Sequence, residues 1–313
     1  MEGWWEEHFI SSSSIPEPLG RFLLRYRWKL DISPFVFDFG WKVLDMPLIK
    51  IESQEDERLE PYRHLRTRNL TRYSQRFIAE SRLLVQRLVA SDYSIESILI
   101  DEDYWDESRD WLPDDVQVLC IPNAWIDELL GFQFHRGFLA CGIRKPPLQA
   151  SMVLETASQD VRWTGMMALG VQDPENLGVL LRTAAGMGIR DCFLGPGTAD
   201  PLSRRVLRVS MGAALKLNLI DCRDLTALMA NMEALGIQSI ATSLQEPSIP
   251  LESFQRMGAT MILLGNEAEG LPLAIQNRAT HRVKIAMELG TDSLNVSVAG
   301  GIVMHYLRRL ALD

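Results

Sequence analysis

Apolar runs alternate with amphipathic stretches along the second half of this 313-residue chain. Short runs of strand length recur, and between several of them apolar residues return at helical spacing until a glycine ends the pattern. This rhythm predicts an α/β domain over residues 151–313, with a mostly parallel sheet and helices on both faces. The predicted strands are Met166–Val171, Asp191–Leu194, Leu217–Ile220, Ser239–Thr242, Thr260–Leu264 and Arg282–Ile285, and the predicted helices are Asn176–Met187, Asp224–Leu235 and Val296–Leu310.

A shorter segment, residues 61–147, shows the same alternation and predicts a small α/β domain built as a three-layer sandwich. Arg144-Lys-Pro-Pro147 breaks regular structure, so we expect a linker there. Residues 1–60 are rich in aromatics with little periodicity, and we interpret them as an extension of unknown role. Within the small domain, the predicted strands are Phe77–Glu80, Ile95–Ile100, Val116–Cys120 and Gly137–Ile143, and the predicted helices are Ser81–Ala90 and Ile126–Leu130.

The composition, 47% hydrophobic with 8 Trp, is ample for packed cores and excludes disorder as the main state. No apolar run approaches the ~18 residues of a membrane span. The acidic N-terminus lacks an apolar segment, so we expect no secretory signal. The four cysteines are widely spaced without a CxxC pair, and there are 5 His. We therefore expect buried thiols in a reducing, cytoplasmic setting and no metal site.

Positive charge is concentrated in one stretch of a chain whose formal net charge is −9. Residues 61–79 contain five arginines and no acidic residue, with Tyr62, Tyr73 and Phe77 among them. Arginine forks bind phosphate and aromatic rings stack on bases, which predicts RNA or phosphate binding. The alternative is a solvated helix face with ordinary charge pairing. The candidate RNA-binding residues are Arg63, Arg66, Arg68, Arg72 and Arg76.

Three polar stretches, residues 173–184, 264–271 and 292–299, interrupt the apolar pattern of the second domain. Each joins a predicted strand or loop to a helix. Ligands of open α/β sheets bind beyond the carboxyl ends of the strands, so we expect the three stretches to meet in one site.

The first stretch has Asn176 as its predicted helix N-cap and Arg182 as the only charge from Leu177 to Ile189. A guanidinium in a buried helix needs a partner. Two interpretations remain open: Arg182 pairs with a carboxylate such as Glu267, or it binds phosphate or takes part in catalysis.

The other two stretches also have a structural and a functional interpretation. Glu267, at a strand end, either supports a helix N-terminus or lines a site. Ser293 and Asn295 either cap the last helix or help to hold a ligand. Small residues in that helix, Gly300 and Gly301 among them, predict close packing against another helix, a dimer partner or a loop of the same chain.

The order of these motifs resembles the SpoU, or TrmH-like, branch of the SPOUT RNA methyltransferases over residues 160–310. Residues 77–140 resemble, more weakly, the ribosomal-protein-like domain that often precedes it. The GxGxxG, GxxxxGK[ST] and GxSxG motifs of other α/β enzymes are missing. The matching residues are Gln172-Asp-Pro-Glu-Asn-Leu-Gly with Arg182-Thr-Ala, Arg208-Val-Ser-Met-Gly212, Leu264-Gly-Asn-Glu with Glu-Gly-Leu271, and Ser293-Leu-Asn-Val-Ser-Val-Ala299.

The resemblance implies a deep trefoil knot, a homodimer and methyl transfer from S-adenosylmethionine to a ribose 2′-hydroxyl of ribosomal or transfer RNA. The implied cofactor contacts are Gly265, Ile285, Leu294 and Thr242. The implied catalytic residues are Arg182, Asn176, Glu267, Ser293 and Asn295. Two positions depart from the family, because Ala268 stands where Gly is usual and Ala286 where Pro is usual.

Two other functions remain open. A non-catalytic RNA-binding or ribosome-assembly factor could use the same fold, although the intact set of five catalytic residues favours an enzyme. A base-methylating relative is the other alternative, and the Ser293-Leu-Asn295 signature favours ribose.

Overall fold

The computed structural model describes residues 48–63, 65, 75–131, 137–290 and 292–310. All of them lie in one compact unit, Asp45–Asp313. They form a five-stranded and a seven-stranded β-sheet, which follow one another along the chain.

The first sheet has the strand order β1-β4-β3-β5-β2, in which β5 runs antiparallel to its two neighbours and the remaining pairs are parallel. Strand β1 pairs with β4, and a 3-10 helix at Glu57–Tyr62 packs on this sheet. The expected boundary at residue 60 is therefore too late, because residues 48–60 belong to the first sheet. Its strands are β1 (Leu48–Lys50), β2 (Arg76–Glu80), β3 (Ile95–Asp101), β4 (Gln117–Ile121) and β5 (Phe138–Ile143).

Both faces of the first sheet are covered, since successive strand residues point to opposite sides. Helix α1 (Arg82–Val89) and the short α2 (Trp105–Ser108) pack on the face that carries Phe77 and Ile98. Helix α3 (Asn123–Leu130) and the 3-10 helix pack on the face that carries Ile78 and Leu99. The result is three layers.

The second sheet is entirely parallel, with the order β10-β12-β9-β11-β6-β7-β8. This confirms the α/β class and the parallel sheet. The short edge strand β10 was not predicted. The strands are β6 (Thr164–Ala168), β7 (Asp191–Leu194), β8 (Asn218–Asp221), β9 (Gln238–Thr242), β10 (Ile249–Pro250), β11 (Thr260–Leu264) and β12 (His281–Lys284).

Within the described residues, six α-helices cover this sheet. Helices α5 (Pro174–Gly186), α6 (Arg204–Val209) and α9 (Val296–Arg309) pack on one face. Helices α4 (Ala150–Ala157), α7 (Leu225–Ala234) and α8 (Leu273–Arg278) pack on the other. Sequence periodicity predicts α5, α7 and α9 but misses the other three, since six to eight residues give about two turns at most.

The two sheets share one hydrophobic core, which runs from Phe77 and Leu84 of the first sheet to Leu177 and Val206 of the second. Within the second sheet, a Cβ on Gly300 would lie 2.6 Å from Leu180 of α5 and 2.9 Å from Leu264 of β11. The small residue at 300 therefore lets α9 pack closely against α5 and β11 of the same chain.

The four cysteines are buried and free of disulfides. Burial raises the pKa of the Cys141 thiol to about 12 and that of Cys222 to about 11. In the part of the chain that the structure describes, no helix has the length and apolarity that a membrane crossing needs.

A candidate active site beyond three parallel strands

A cavity of about 380 Å³ lies beyond the carboxyl ends of β9, β11 and β12. Thr242 ends β9, Gly265 follows β11 and Ile285 follows β12, while Leu294 lies just before α9. These four residues, which are the expected cofactor contacts, all line the cavity. Glu267 and Ser293 line it as well, and the remaining wall combines apolar side chains such as Leu244, Met287, Val296 and Val303 with polar and charged ones such as Gln276, Lys284 and Asp292. The size and mixed lining are typical of a small-molecule site.

The loop after β11 crosses itself so closely that only glycine fits at position 265. A Cβ there would lie 2.3 Å from the backbone of Gly270 and of Leu271. Gly270 has a φ of +70°, and residues 266 and 270 exchange two backbone hydrogen bonds of 2.9 and 3.1 Å. The backbone of this loop can therefore lie directly against a ligand.

Asn266 holds this loop in place and was not among the predicted site residues. Its Oδ1 accepts from the backbone N–H groups of Ala268 (2.8 Å) and Glu269 (3.1 Å), and its Nδ2 donates to the carbonyl of Gly170 (2.7 Å). The loop that carries Glu267 is thereby tied to the segment that follows β6. A signal was present in the sequence, since Asn two or three residues before a turn often bonds to that turn's backbone.

A chain of hydrogen bonds joins the three polar stretches. Asn176 donates from Nδ2 to Glu267 Oε1 at 2.8 Å, and Asn176 Oδ1 accepts from Asn295 Nδ2 at 2.8 Å. Asn295 Oδ1 in turn accepts from the backbone N–H of Ser297 (2.9 Å) and from its hydroxyl (2.6 Å). We call Glu267, Asn176 and Asn295 the amide relay. Asn295 is thus both the N-cap of α9 and part of this network.

The N-cap of α5 is Asp173, which accepts from the backbone N–H of Glu175, and not Asn176 as expected. Pro174 occupies the first helical position, where its missing N–H costs nothing. Asn176 is therefore inside the first turn and free to reach Glu267.

Arg182 is exposed, whereas the sequence suggested a buried guanidinium. Leu177, Leu180, Leu181 and Ala184 form the buried face of α5, and residue 182 lies off that face. Within the described residues, Arg182 forms no ion pair and does not line the cavity. The interpretation in which it pairs with Glu267 is wrong for this chain on its own.

The Arg-rich stretch is described only in part, and Arg66, Arg68, Arg72 and Tyr73 lie outside the described residues. Arg63 donates to the carbonyls of Gln54 and Asp56, and Arg76 forms a two-point ion pair with Glu96 at 2.5 and 2.8 Å. Both guanidinium groups thus have protein partners.

The aromatic rings Tyr62 and Phe77 are fully buried, so they cannot stack on bases as expected. Tyr62 contributes its hydroxyl to a hydrogen bond with Ser97 inside the first domain, and Phe77 is on the core face of β2. Alternation along β2 decides where Phe77 points, whereas Tyr62 ends the 3-10 helix and packs on the opposite face of the sheet.

The cavity fits a cofactor that is held mainly through backbone and apolar contacts. The lining places loop backbone at 265 and 285 beside apolar side chains, and Thr242 is not a free donor because its hydroxyl donates to the Leu263 carbonyl at 3.1 Å. Ala268 lines the cavity and Ala286 is exposed. Among the described residues, no group of three or more His, Cys, Asp or Glu could hold a metal ion.

Comparison with known proteins identifies the family. The family model described as the SpoU rRNA Methylase family matches residues 166–305. An uncharacterised tRNA/rRNA methyltransferase of Mycobacterium tuberculosis is 32% identical over 267 residues, which cover 80% of this chain and 88% of that protein. The chain belongs to the SpoU rRNA methylase family. A second relative of this SpoU chain, the 23S rRNA (guanosine(2553)-2′-O)-methyltransferase of Bacillus subtilis, is 25% identical over 83% of this chain and 99% of its own.

Solved structures extend the similarity to the fold. The S-adenosylmethionine-bound rRNA methyltransferase of Sinorhizobium meliloti superposes with a TM-score of 0.70 at 22% identity, over 85% of this chain and all of that one. A TrmH-family RNA methyltransferase of Porphyromonas gingivalis gives a TM-score of 0.66 at 25% identity, over 80% and 96% of the two chains. Both alignments span most of the described SpoU chain, so its two sheets occur together in other proteins.

Proposed function

We propose that this protein transfers the methyl group of S-adenosylmethionine to a ribose 2′-hydroxyl of ribosomal or transfer RNA. The observation that carries the proposal is the amide relay, which joins three separate motifs and reaches the cavity through Glu267. Family membership supplies the reaction class, and the names of relatives such as the Bacillus 2′-O-methyltransferase supply RNA ribose as the acceptor.

In this proposal, the loops after β9, β11 and β12 hold the cofactor through Gly265, Ile285, Leu294 and Thr242. When bound, S-adenosylmethionine supplies an activated methyl group, so the protein mainly has to position the hydroxyl and assist the loss of its proton. One oxygen of Glu267 is occupied by Asn176. Its second oxygen can accept a hydrogen bond from the ribose hydroxyl, with Ser293 beside it on the cavity wall.

We assign Arg182 to the substrate phosphate and to the negative charge that develops on the 2′-oxygen. Arginine stays protonated in proteins, so it is unsuited to act as a base, whereas a fixed positive charge stabilises a developing alkoxide. The amide relay keeps its own orientation without Arg182, because each amide is already bonded to a neighbour.

The test is transfer of tritium from labelled S-adenosylmethionine to RNA. We expect Arg182→Ala to lower kcat by about 100-fold or more, the usual effect of removing a charge-stabilising group. The matched control is Arg190→Ala, which removes an exposed arginine from the loop after α5. Full activity in Arg182→Ala would overturn the catalytic assignment, and absence of cofactor binding in calorimetry would favour the binding-only alternative.

The proposal includes a homodimer formed through α5 and α9. A groove of about 570 Å³ lies along the exposed side of α9, with Val179 of α5 and the Leu251–Glu252 segment at its edges, and its apolar residues Val179, Val298 and Ile302 are 38–50% exposed. Exposed apolar stripes of this kind mark interaction surfaces. Sedimentation should show a dimer that Ile302→Glu dissociates. Met152→Glu, at an exposed apolar residue of α4 on the opposite face of the sheet, should leave the mass unchanged; a monomeric wild type would refute the dimer.

The finer family features belong to the same proposal. Residues 151–313 carry the catalysis in a knotted fold, and the preceding domain binds RNA. The insertion of β11 between β9 and β6, and the meeting of residues 265–271 with Ile285, Met287 and residues 292–294 at one cavity, support the knot. We expect the protein to act in the cytoplasm, where its four free thiols persist.

A further inference from the structure

Helix α6 carries an exposed arginine that pairs with the residue preceding Asn176 of the amide relay. Arg205 forms an ion pair with Glu175, which lies in the first turn of α5 and directly precedes Asn176. The two side chains are 49% and 56% exposed. An ion pair so open to water contributes little to stability, so another anion can take the place of Glu175 as the partner of Arg205.

The remainder of α6 is fixed by contacts to the first domain. Arg204 donates to the carbonyl of Leu65 at 2.9 Å and lies 3.4 Å from Glu80, a carboxylate with only 9% side-chain exposure. Arg208 is 3.8 Å from the same carboxylate and is 38% exposed. Because α6 also packs against α5 and β2, it is a rigid platform from which Arg205 projects.

A short path of contacts connects Arg205 to the candidate active site. Arg205 holds Glu175, the next residue along the chain is Asn176, and Asn176 bonds to Glu267 on the cavity wall. If Asn176 and Glu267 mark the ribose site, the phosphates that flank this ribose come near the first turn of α5, which Arg205 contacts through Glu175. Since the chain carries a net charge of −9, attraction for a polyanion has to come from local arginines.

We infer that Arg205, assisted by Arg208, binds a backbone phosphate of the RNA next to the methylated nucleotide, and that Glu175 holds Arg205 until this phosphate replaces it. The guanidinium fork matches phosphate as well as it matches carboxylate, so the exchange keeps a two-point contact. The inference rests on the proposed function, because it takes RNA as the substrate.

The test measures binding of a fluorescein-labelled RNA hairpin by anisotropy over a series of KCl concentrations. Arg205→Gln is expected to weaken binding by about two- to sixfold near 0.1 M salt and to reduce the salt slope by about 0.7–0.9, the effect of one phosphate contact. Glu175→Gln is expected to tighten binding by about two- to fivefold, because it frees Arg205.

A double variant separates the exchange from a general effect of charge. In the Arg205→Gln background, Glu175→Gln should no longer tighten binding, since no arginine remains to be freed. The controls are Arg278→Gln and Glu233→Gln. Each removes one partner of an exposed ion pair on the opposite face of the sheet and should change RNA binding little. Thermal melting confirms that each variant is folded.

Two results would overturn the inference: equal weakening by Arg205→Gln and Arg278→Gln, or an undiminished gain from Glu175→Gln in the double variant. Its failure is distinct from failure of the proposed function. If wild-type protein binds the hairpin as described but transfers no tritium to cellular RNA, the methyltransferase assignment fails while the phosphate contact stands. If the wild-type protein methylates RNA and the Arg205→Gln variant does so with the same KM for RNA, the phosphate contact is refuted.

Discussion

The crossing at Gly265 gives the sharpest test of how the cavity is built. In Gly265→Ala, the new Cβ would lie 2.3 Å from the carbonyl carbon of Gly270 and from the nitrogen of Leu271, whereas ordinary contact begins at 3.4 Å. The obstruction is backbone, so no side chain can rotate away. The loop has to retreat by about 1 Å, and forced overpacking of this kind costs about 1–3 kcal/mol.

This displacement of the loop should weaken cofactor binding more than it destabilises the fold. The loop carries Glu267 and lines the cavity from residue 265 to 271. If most of the strain is relieved by moving the loop out of its binding position, a cost of 1.4 kcal/mol or more becomes a loss of about tenfold or more in affinity. Displacing Glu267 by about 1 Å should also lower kcat, by up to about 100-fold.

The assay is calorimetric titration with S-adenosylmethionine, together with urea unfolding. Gly258→Ala is the matched control, because Gly258 precedes the same strand, β11, and a Cβ there meets no atom within 4 Å. We expect Gly258→Ala to keep wild-type affinity and Gly265→Ala to lose it. Equal affinity in the two variants would refute the argument that the crossing shapes the cofactor site.

Three further predictions follow from single contacts. Asn266→Ala removes the bond to Gly170 and both loop bonds, and should lower kcat about tenfold in the tritium assay, with partial recovery in Asn266→Asp, which keeps the acceptor oxygen. Glu80→Ala leaves Arg204 without its carboxylate and should reduce the urea-derived free energy of unfolding by about 1–3 kcal/mol. Burial raises the pKa of Cys141 from 9.0 to about 12, so the unfolded thiol ionises first and stability should fall as the pH rises above about 9, by about 1 kcal/mol at pH 10.

Each of these predictions has its own control. For position 266, unchanged kcat in the alanine variant would show that the loop holds Glu267 without the side chain. For position 80, Glu233→Ala removes an exposed carboxylate and should cost less than about 0.5 kcal/mol; an equal cost would contradict the buried pairing. For the thiol, the loss of stability at alkaline pH should be smaller in Cys141→Ala than in the wild type. An unchanged loss would mean that other groups cause it.

Element type and order could be predicted because the apolar pattern is strong. Strands β7 and β11 begin and end at the predicted residues, Asp191–Leu194 and Thr260–Leu264. Convergence of the three polar stretches followed from one rule, that loops after parallel strands meet at one edge. Helix α6 was missed because three of its six residues are arginines and its apolar positions span less than two turns.

Some of the remaining features had a signal in the sequence that was overlooked, and others could not be predicted from the local pattern. Helical spacing places Leu177, Leu181 and Ala184 on one face and Arg182 beside it, so its exposure could have been foreseen. Asp173 before Pro174 already marked the N-cap. The self-crossing at Gly265 and the partners of Asn176 depend on long-range packing, which a local sequence window does not contain.

The exposed position of Arg182 links the two halves of the proposed function. Glu267 of the amide relay lines the cavity, whereas Arg182 lies two helical turns after Glu175, about 10 Å along α5, with Val179 of the exposed groove between them. We propose that this guanidinium serves the acceptor ribose of a second subunit, whose cavity the dimer brings to that groove. On this reasoning, Ile302→Glu should lower methyl transfer as Arg182→Ala does, although Ile302 touches no member of the relay. Activity that survives dissociation of the dimer would mean that Arg182 serves its own cavity.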